Sequence, residues 1–385
     1  MFESNSASVS GDALSSKALR VLHVGPGWGQ RGGIASVLEE LQSQQGRFQE
    51  DGVSFSFFET HGFQRAKDCA AFVFADVPRF AISLLRGVDI VHFHVSVRGS
   101  FYRKAMLCVL ARVARKKTVF HLHAGNFRQF EASAGSMSRR FVSWFVKGSD
   151  AVVAVSSTTG RELQSLGAES RRLHVIANTA VDAEKAVGKP VMSAKREASV
   201  PYIAFAGRLA EAKGIDDLLQ AVSLLKQQAC RVELRLAGDG NVLHWEERAR
   251  IYGIDDRVVF MGWLGGNEKI AFYRSARVFC MPSHYESFGI ATLEAMFAGV
   301  PVVGTRVGGF LDLVESGVTG YLVRPTAPVA LAACLRRLID DPVLARAVGD
   351  AGLARAQANF SAEAVVCRYI QCYRAVMDGQ EVSRV

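Results

Sequence analysis

Two carboxylates eight residues apart, Glu286 and Glu294, stand in the segment Pro282-Ser-His-Tyr-Glu-Ser-Phe-Gly-Ile-Ala-Thr-Leu-Glu294. Gly289 is placed to open a helix that carries Glu294 in its second turn. A carboxylate there can bind the hydroxyls of a ribose, and the N–H groups of Ser287 to Ile290 can meet phosphate or sugar oxygens. Such a pair also arises by chance in a chain of this size, so the spacing alone decides nothing. Upstream, Ala206-Gly-Arg-Leu-Ala-Glu-Ala-Lys-Gly214 sets Arg208 and Lys213 around a turn that leads into a helical stretch, Ile215–Gln227. A guanidinium fork and an ammonium charge at one helix N-terminus suit a diphosphate. Two solvated surface cations are the plainer alternative. Leu236-Ala-Gly-Asp-Gly240 reads as another strand end and turn, weak by itself.

A glycine cluster near the start, Gly25-Pro-Gly-Trp-Gly-Gln-Arg-Gly-Gly33, follows a short apolar run and precedes a helix from Ile34. It lacks the spacing of a dinucleotide fingerprint. It reads equally as a phosphate-contacting turn or as an ordinary tight turn. In Phe120-His-Leu-His-Ala-Gly125, His121 and His123 share one face of a strand by its period of two. A metal pair is conceivable, but no third ligand is evident nearby, and no metal site is expected. His123, at the carboxyl end of that strand, is the better placed to face a cleft. His92 and His94 on the strand before it read as satisfied sheet histidines.

These segments must be positioned by alternating strands and helices. Short apolar runs at Arg20–Val24, Val53–Phe58, Asp89–Val95, Thr118–His123, Ala151–Val155 and Leu173–Ile176 are separated by stretches of helical period such as Ile34–Gln45 and Arg103–Arg115. After a polar stretch the pattern restarts at Tyr202–Ala206, Val232–Ala237, Val258–Met261, Val278–Met281, Val300–Val303 and Gly320–Val323. Alternation of this kind predicts two doubly wound α/β domains with parallel sheets. Ligands of such sheets bind outside the carboxyl ends of the strands, so two of them facing each other place a ligand in the cleft between. The predicted division is a disordered tail over 1–16, a first domain over 17–185, a linker over 186–199 and a second domain over 200–360. A final helix over 361–385 is expected to cross back to the first domain.

With 385 residues, 49% hydrophobic and 22% charged, the chain has the balance of a soluble globular protein. The Ser-rich start lacks the apolar core of a signal peptide. The seven scattered cysteines show no zinc spacing and read as reduced thiols, hence a cytoplasmic setting. The net charge is +9, and residues 1–185 carry 23 Lys and Arg against 16 Asp and Glu. That basic half could meet nucleic acid, an anionic membrane or a phosphorylated acceptor. Without a recognisable nucleic-acid motif, nucleic acid is not expected. Val97-Arg-Gly-Ser-Phe-Tyr-Arg-Lys-Ala105 leads into an amphipathic stretch, Met106–Lys117, with Arg112, Arg115, Lys116 and Lys117 at its end. A second such stretch holds Arg139, Arg140 and Lys147 with Phe141, Trp144 and Phe145. Basic helices with aromatic anchors suit a membrane interface; a buried apolar face with a solvated cationic one suits the same pattern.

Taken in order, Gly207-Arg208-Leu209…Lys213-Gly214, Leu236-Ala-Gly-Asp-Gly240, Glu286-x7-Glu294 and Thr305-Arg-Val-Gly-Gly309…Gly317-Val-Thr-Gly320 resemble the retaining glycosyltransferase family 4. The resemblance runs from Lys17 onward and is strongest over 201–325. It implies the GT-B fold of two Rossmann-like domains. It further implies that Arg208 and Lys213 bind the donor diphosphate, Glu294 the ribose, and Glu286 the transferred sugar near its 3-hydroxyl. Backbone at Phe288, Gly289 and Ile290 would hold phosphate and sugar oxygens. Gly33 would lie near the leaving phosphate, and His123 near the donor sugar's 6-hydroxyl. One departure is Ala177-Asn-Thr-Ala-Val-Asp182, with one residue more than the family's usual run, which loosens any role for Asn178.

Such enzymes are usually described as attacking from the front face, the leaving phosphate taking the acceptor proton. No cofactor and no metal are then expected, because Lys and Arg stand where a metal-dependent enzyme would want an Asp-x-Asp. The Arg98–Lys104 stretch also resembles members that extend lipid-diphosphate-linked saccharides. Arg98, Arg103, Lys104, Arg112, Arg115, Lys116 and Lys117 are therefore expected at the acceptor or membrane. The expectation is a hexosyltransferase of polysaccharide biosynthesis, peripheral at the inner face of the cell membrane. GDP-mannose is preferred as donor, with a UDP-hexose next. A soluble acceptor, or a nucleotide-sugar epimerase of the same fold, is the alternative.

Overall fold

A computed structural model describes residues 18–27, 32–60, 66–180 and 200–379. The predicted tail and linker lie outside the described residues. Twelve strands form two six-stranded sheets, all pairings parallel. The first holds β1 (Leu19–Pro26), β2 (Val53–Thr60), β3 (Ile90–Val95), β4 (Lys117–Leu122), β5 (Ala151–Ala154) and β6 (Leu173–Val175) in the order β2-β1-β3-β4-β5-β6. The second holds β7 (Tyr202–Ala206), β8 (Glu233–Ala237), β9 (Val258–Gly262), β10 (Val278–Met281), β11 (Val302–Thr305) and β12 (Tyr321–Val323) in the order β12-β11-β10-β7-β8-β9. Each predicted apolar run is one of these strands. The central ones, such as β3, β7 and β10, are buried along their whole length. β7 and β10 are apolar throughout because helices cover both faces of a parallel sheet, while β3 also buries His92 and His94.

Strand order reverses between β1 and β3 in the first sheet and between β7 and β10 in the second. The crevice outside the carboxyl ends of strands is widest at such reversals. The loops that leave these four strands carry Gly33, Ser96, Arg208 with Lys213, and Glu286. Topology alone therefore brings the sequence motifs together.

The first sheet has an apolar core on each face. One is sealed by the helices Val77–Leu85, Gly99–Val113 and Ser136–Gly148. The other is sealed by Gly33–Ser43 and by the last helix, Ala362–Asp378. That last helix begins at Ser361, whose Oγ accepts from the Ala364 N–H at 3.3 Å. Its Val365, Tyr369, Cys372, Tyr373 and Val376 are buried against the first sheet's core. Arg47 with Glu363 at 2.7 Å and Arg374 with Asp51 at 3.3 Å flank the seam.

The stretch expected as one helix through Lys117 ends at Val113. Arg115 has φ 54, which leaves the helical region, and the Lys117 N–H donates to the Asp89 carbonyl as β4 begins. The β-branched pair Thr118-Val119 then favours strand over helix. This corrects the basic cluster as well. Lys117 is paired with Asp150 at 3.1 Å, and the Arg112 guanidinium sits 4.3 Å over the Trp144 ring. Arg103 and Lys104 are only 7% and 2% exposed, so they form no part of an outer surface. They share the buried side of the helix with Phe101, Ala105, Leu107, Cys108 and Ala111, which pack into the core of the first sheet. Arg98 and Arg115 remain exposed and Lys116 half-buried.

Candidate active site

A cleft of about 470 Å³ lies between the two sheets and is lined from both sides. The second domain gives it Arg208, Lys213, Glu286, Phe288, Gly289, Ile290 and Glu294; the first gives Gly33 and His123. Every residue expected for donor binding or catalysis thus lies on one cavity. Of those expected for acceptor or membrane, none lines it.

The Lys213 Nζ lies 2.6 Å from Glu286 Oε2. Lys213 is held by a short turn over Glu211–Lys213, ended by Gly214 in the left-handed region at φ 67. Glu286 hangs from the loop after β10, and Gly125 of the first domain closes over that loop. A Cβ on Gly125 would come within 2.9 Å of the Ser287 nitrogen, so the close approach needs glycine. Arg208 is exposed and has no side-chain partner among the described residues. It is free to meet an anion in the cavity that Lys213 also lines.

The helix Ile290–Phe297 opens at Gly289, whose φ of 103 turns the backbone so that its first N–H groups face the cleft. With the dipole they make an anion-seeking end. A Cβ at Gly289 would meet Phe310 at 2.5 Å, so the tight packing also requires glycine there. Glu294, four residues into that helix, accepts from the Lys269 Nζ at 2.5 Å and the Tyr273 hydroxyl at 2.8 Å. Burial, and next the Glu294 charge, push the Tyr273 phenol well above its usual range. It stays protonated and so remains a donor.

On the facing wall, the His123 N–H donates to the Val95 carbonyl at 2.9 Å, and His123 Nε2 lies 2.9 Å from His94 Nδ1. Burial, with the Lys104 charge adding to it, pushes His123 down to about 3. The ring is neutral at ordinary pH. Lys104 itself is pushed down to about 7, first by burial and then by Arg103, and donates to Ser100 Oγ at 2.8 Å.

His121 does not stand without a third histidine. Nitrogens of His92, His94 and His121 lie within 4.8 Å of one another, all buried. Both ring nitrogens of His92 and His94 are already in hydrogen-bond contact, to Tyr373 and His121 and to His23 and His123 respectively. His92 and His94 are thus satisfied, as expected from the sequence.

Sequence reasoning missed Lys269 and Tyr273. Their spacing of four on the helix Gly266–Arg274 was the available signal, since it puts both on one face. Asn178, set aside because of the extra residue, lines the cleft with its Oδ1 buried and unpartnered. Ser96 and Trp263 also line it, and nothing in their sequence context marked them.

Comparison with known proteins places the two domains that flank this cleft. Residues 39–184 match the family described as Glycosyltransferase Family 4, and residues 200–341 match that described as Glycosyl transferases group 1. The chain carries the paired domains of a GT-B glycosyltransferase. It is 30% identical to the glycogen synthase of Mycobacterium tuberculosis over 252 residues, covering 64% of this chain and 60% of that protein. It is 32% identical to the D-inositol 3-phosphate glycosyltransferase of Pseudarthrobacter chlorophenolicus over 244 residues, 60% of this chain and 57% of that one. The matched part therefore spans three fifths or less of these curated relatives. Among solved structures, Anabaena HepE in complex with UDP-glucose superposes with a TM-score of 0.72 at 20% identity. The overlap covers 94% of this chain and all of that one. Sucrose-phosphate synthase from Thermosynechococcus elongatus gives 0.70 at 22% identity, with the same coverage. At these identities the likeness establishes the GT-B fold, two parallel six-stranded sheets facing a cleft.

Proposed function

We propose that this GT-B protein is a retaining, metal-independent hexosyltransferase that takes its sugar from a nucleotide-sugar donor bound in the interdomain cleft. The observation that carries the reading is the convergence of Arg208, Lys213, Glu286, Glu294 and the Gly289 helix end on one cavity, faced by Gly33 and His123. Two cations and a helix N-terminus suit a diphosphate, and the half-buried Glu294, oriented by Lys269 and Tyr273, suits a pair of ribose hydroxyls. Glu286, braced by Lys213, is placed for a sugar hydroxyl.

In the reaction, the acceptor oxygen bonds to the anomeric carbon while the bond from that carbon to the diphosphate breaks. The acceptor proton passes to an oxygen of the departing phosphate. Arg208, Lys213 and the helix-end N–H groups stabilise the charge that grows on the diphosphate. Lys and Arg thereby supply the positive charge that a divalent ion supplies elsewhere. His123, neutral, serves the sugar through hydrogen bonding and carries no charge of its own.

The acceptor we infer is a lipid-diphosphate-linked saccharide of polysaccharide biosynthesis, met at the cytoplasmic face of the membrane. Support comes from two neighbouring helices. Tyr102, Met106, Val109 and Val113 recur at helical spacing along one face of Gly99–Val113, all exposed. Met137, Phe141 and Trp144 do the same on Ser136–Gly148, and the Tyr102 hydroxyl joins the two helices through Ser138 at 2.8 Å. Exposed cations on the second helix, Arg139, Arg140 and Lys147, accompany them. Apolar anchors with flanking cations suit an anionic interface. Among the described residues no helix is long and apolar enough to cross a membrane.

The deciding experiment incubates the protein with a panel of nucleotide sugars and follows release of nucleoside diphosphate. GDP-mannose comes first, then UDP-glucose, the ligand of Anabaena HepE. Isomerised donor with no release would make it an epimerase. If no donor binds and none is consumed, the transferase reading is wrong.

A further inference from the structure

From the half-buried His123 on the cleft wall, a hydrogen-bonded file of six side chains, the other five buried, runs across the first sheet. From His123 Nε2 it passes to His94 Nδ1 at 2.9 Å, then from His94 Nε2 to His23 Nδ1 at 2.8 Å. His23 Nε2 meets the Tyr373 hydroxyl at 3.3 Å, which meets His92 Nδ1 at 2.9 Å. His92 Nε2 meets His121 Nδ1 at 3.0 Å. There the file ends, because His121 Nε2 is buried with no partner. The residues come from β1, β3, the end of β4 and the last helix. The rings of His23, His92 and His94 are also stacked, with centroids 4.6 to 5.1 Å apart.

We infer that this file fixes the tautomer of His123, holding its proton on Nδ1 so that the ring offers the cleft a hydrogen-bond donor. The reasoning is a count of protons. Five imidazoles and one phenol, each with one proton, can fill the five links in only two concerted directions. In one direction each of the five histidines is protonated on Nδ1. His121, His92, Tyr373, His23 and His94 each donate one step toward the cleft. The sixth proton then stands on His123 Nδ1, and the dead end at His121 Nε2 is a bare lone pair. In the other direction every link reverses, His123 Nδ1 becomes an acceptor, and His121 must bury an N–H with no acceptor. An orphaned buried N–H is the rarer and costlier defect. The unpartnered atom at one end of the file thus sets the character of the ring at the other.

The groups around the file agree with it. Burial pushes His23 and His123 down to about 3 and holds His92, His94 and His121 well below their usual range. Among the described residues no carboxylate shifts any of these five rings, and the charge that acts on His123 from outside the file is that of Lys104, which opposes a second positive charge. Neither Tyr369, whose hydroxyl is buried without a partner beside His121, nor any other described group accepts a proton from the dead end. His94 and the residues behind it are positioning residues, since they reach the ligand only through His123. The inference concerns the unliganded protein and does not rest on the glycosyl-transfer reading.

The test is long-range proton–nitrogen correlation NMR on the full chain labelled with ¹⁵N-histidine, recorded without ligand from pH 8 to 5. The result expected is that His23, His92, His94, His121 and His123 all show the proton on Nδ1, with ring shifts that do not titrate. A His123 protonated on Nε2, or titrating across that range, overturns the inference. Tyr373→Phe supplies a second readout. It removes the acceptor of the His92 Nδ1–H; the His92–His121 pair then buries one unpartnered N–H in either direction, so the signals of these two rings no longer report on the file. Those of His94 and His123 should persist, because the bare end then moves to His23 Nε2. A proton on Nε2 of His123 or of His23 in this variant would equally overturn the inference.

Discussion

Lys213→Ala should separate two roles that one side chain holds. In the structure its ammonium is 2.6 Å from Glu286, whose side chain is 11% exposed, while Lys213 is 26% exposed. Deleting the lysine removes a cation from the proposed diphosphate site and leaves Glu286 with no close counter-charge. Losing one charge-stabilising group in an active site costs about 3–4 kcal/mol, or a 10²–10³-fold fall in kcat/KM. On the stability side, exposed ion pairs are worth roughly 1 kcal/mol or less, and orphaning a fully buried charge costs about 3–5. The exposure here lies between, so about 2 kcal/mol is expected, and a domain of this size should lose about 4–8 °C in Tm. Adding Glu286→Gln neutralises the stranded carboxylate. The double variant should recover most of the Tm and none of the activity. Differential scanning fluorimetry and nucleoside diphosphate release measure the two quantities on the same preparations. Near wild-type kcat/KM in Lys213→Ala would refute the diphosphate assignment; a double variant as unstable as the single one would refute the ion-pair account.

Arg208→Ala should lower kcat/KM by a similar 10²–10³-fold, yet leave Tm within about 1 °C, since its side chain is exposed and unpartnered among the described residues. Tyr273→Phe removes a hydrogen bond that orients Glu294 and should weaken donor binding about 3- to 10-fold by calorimetry with kcat little changed; unaltered affinity would deny Tyr273 that role. Stability should fall as pH drops below 6.5. His23 and His123 are pushed down to about 3 by burial, so between those values the unfolded chain binds protons that the native state does not. Each contributes a slope of about 1.4 kcal/mol per pH unit, and urea titrations at pH 7 and 5 that agree would contradict this. Binding to anionic vesicles should be strong at low salt and lost at high salt. Val113→Glu with Met137→Glu, 76% and 71% exposed in the native protein, should abolish it without changing nucleotide affinity; no sedimentation of the native protein with such vesicles would end the membrane reading.

The sequence by itself determined both sheets and the local motifs. All twelve strands are marked by short apolar runs; the central ones are nearly continuous in apolar residues because they are covered on both faces, while the edge strands β6 and β9 are only partly buried. The helix at Ile215–Gln227 and the glycine at 289 were equally legible, since a helix start and a positive φ are local properties. Only tertiary structure decided which side chains meet. The packing of the helix Gly99–Val113 took Arg103 and Lys104 from the expected surface into the interior, an orientation that a pattern of mixed apolar and basic residues leaves open. Lys269 and Tyr273 became partners of Glu294 through the packing of two helices. The histidine file needed the most distant contacts of all. Tyr373 reaches His23 across 350 positions of sequence, because the last helix returns to the first sheet. His92 and His94 read from sequence as satisfied sheet histidines, with their partners unnamed. A hydrogen bond depends on where a strand's neighbour lies, and strand order in a parallel sheet is set by crossovers, not by the strands themselves.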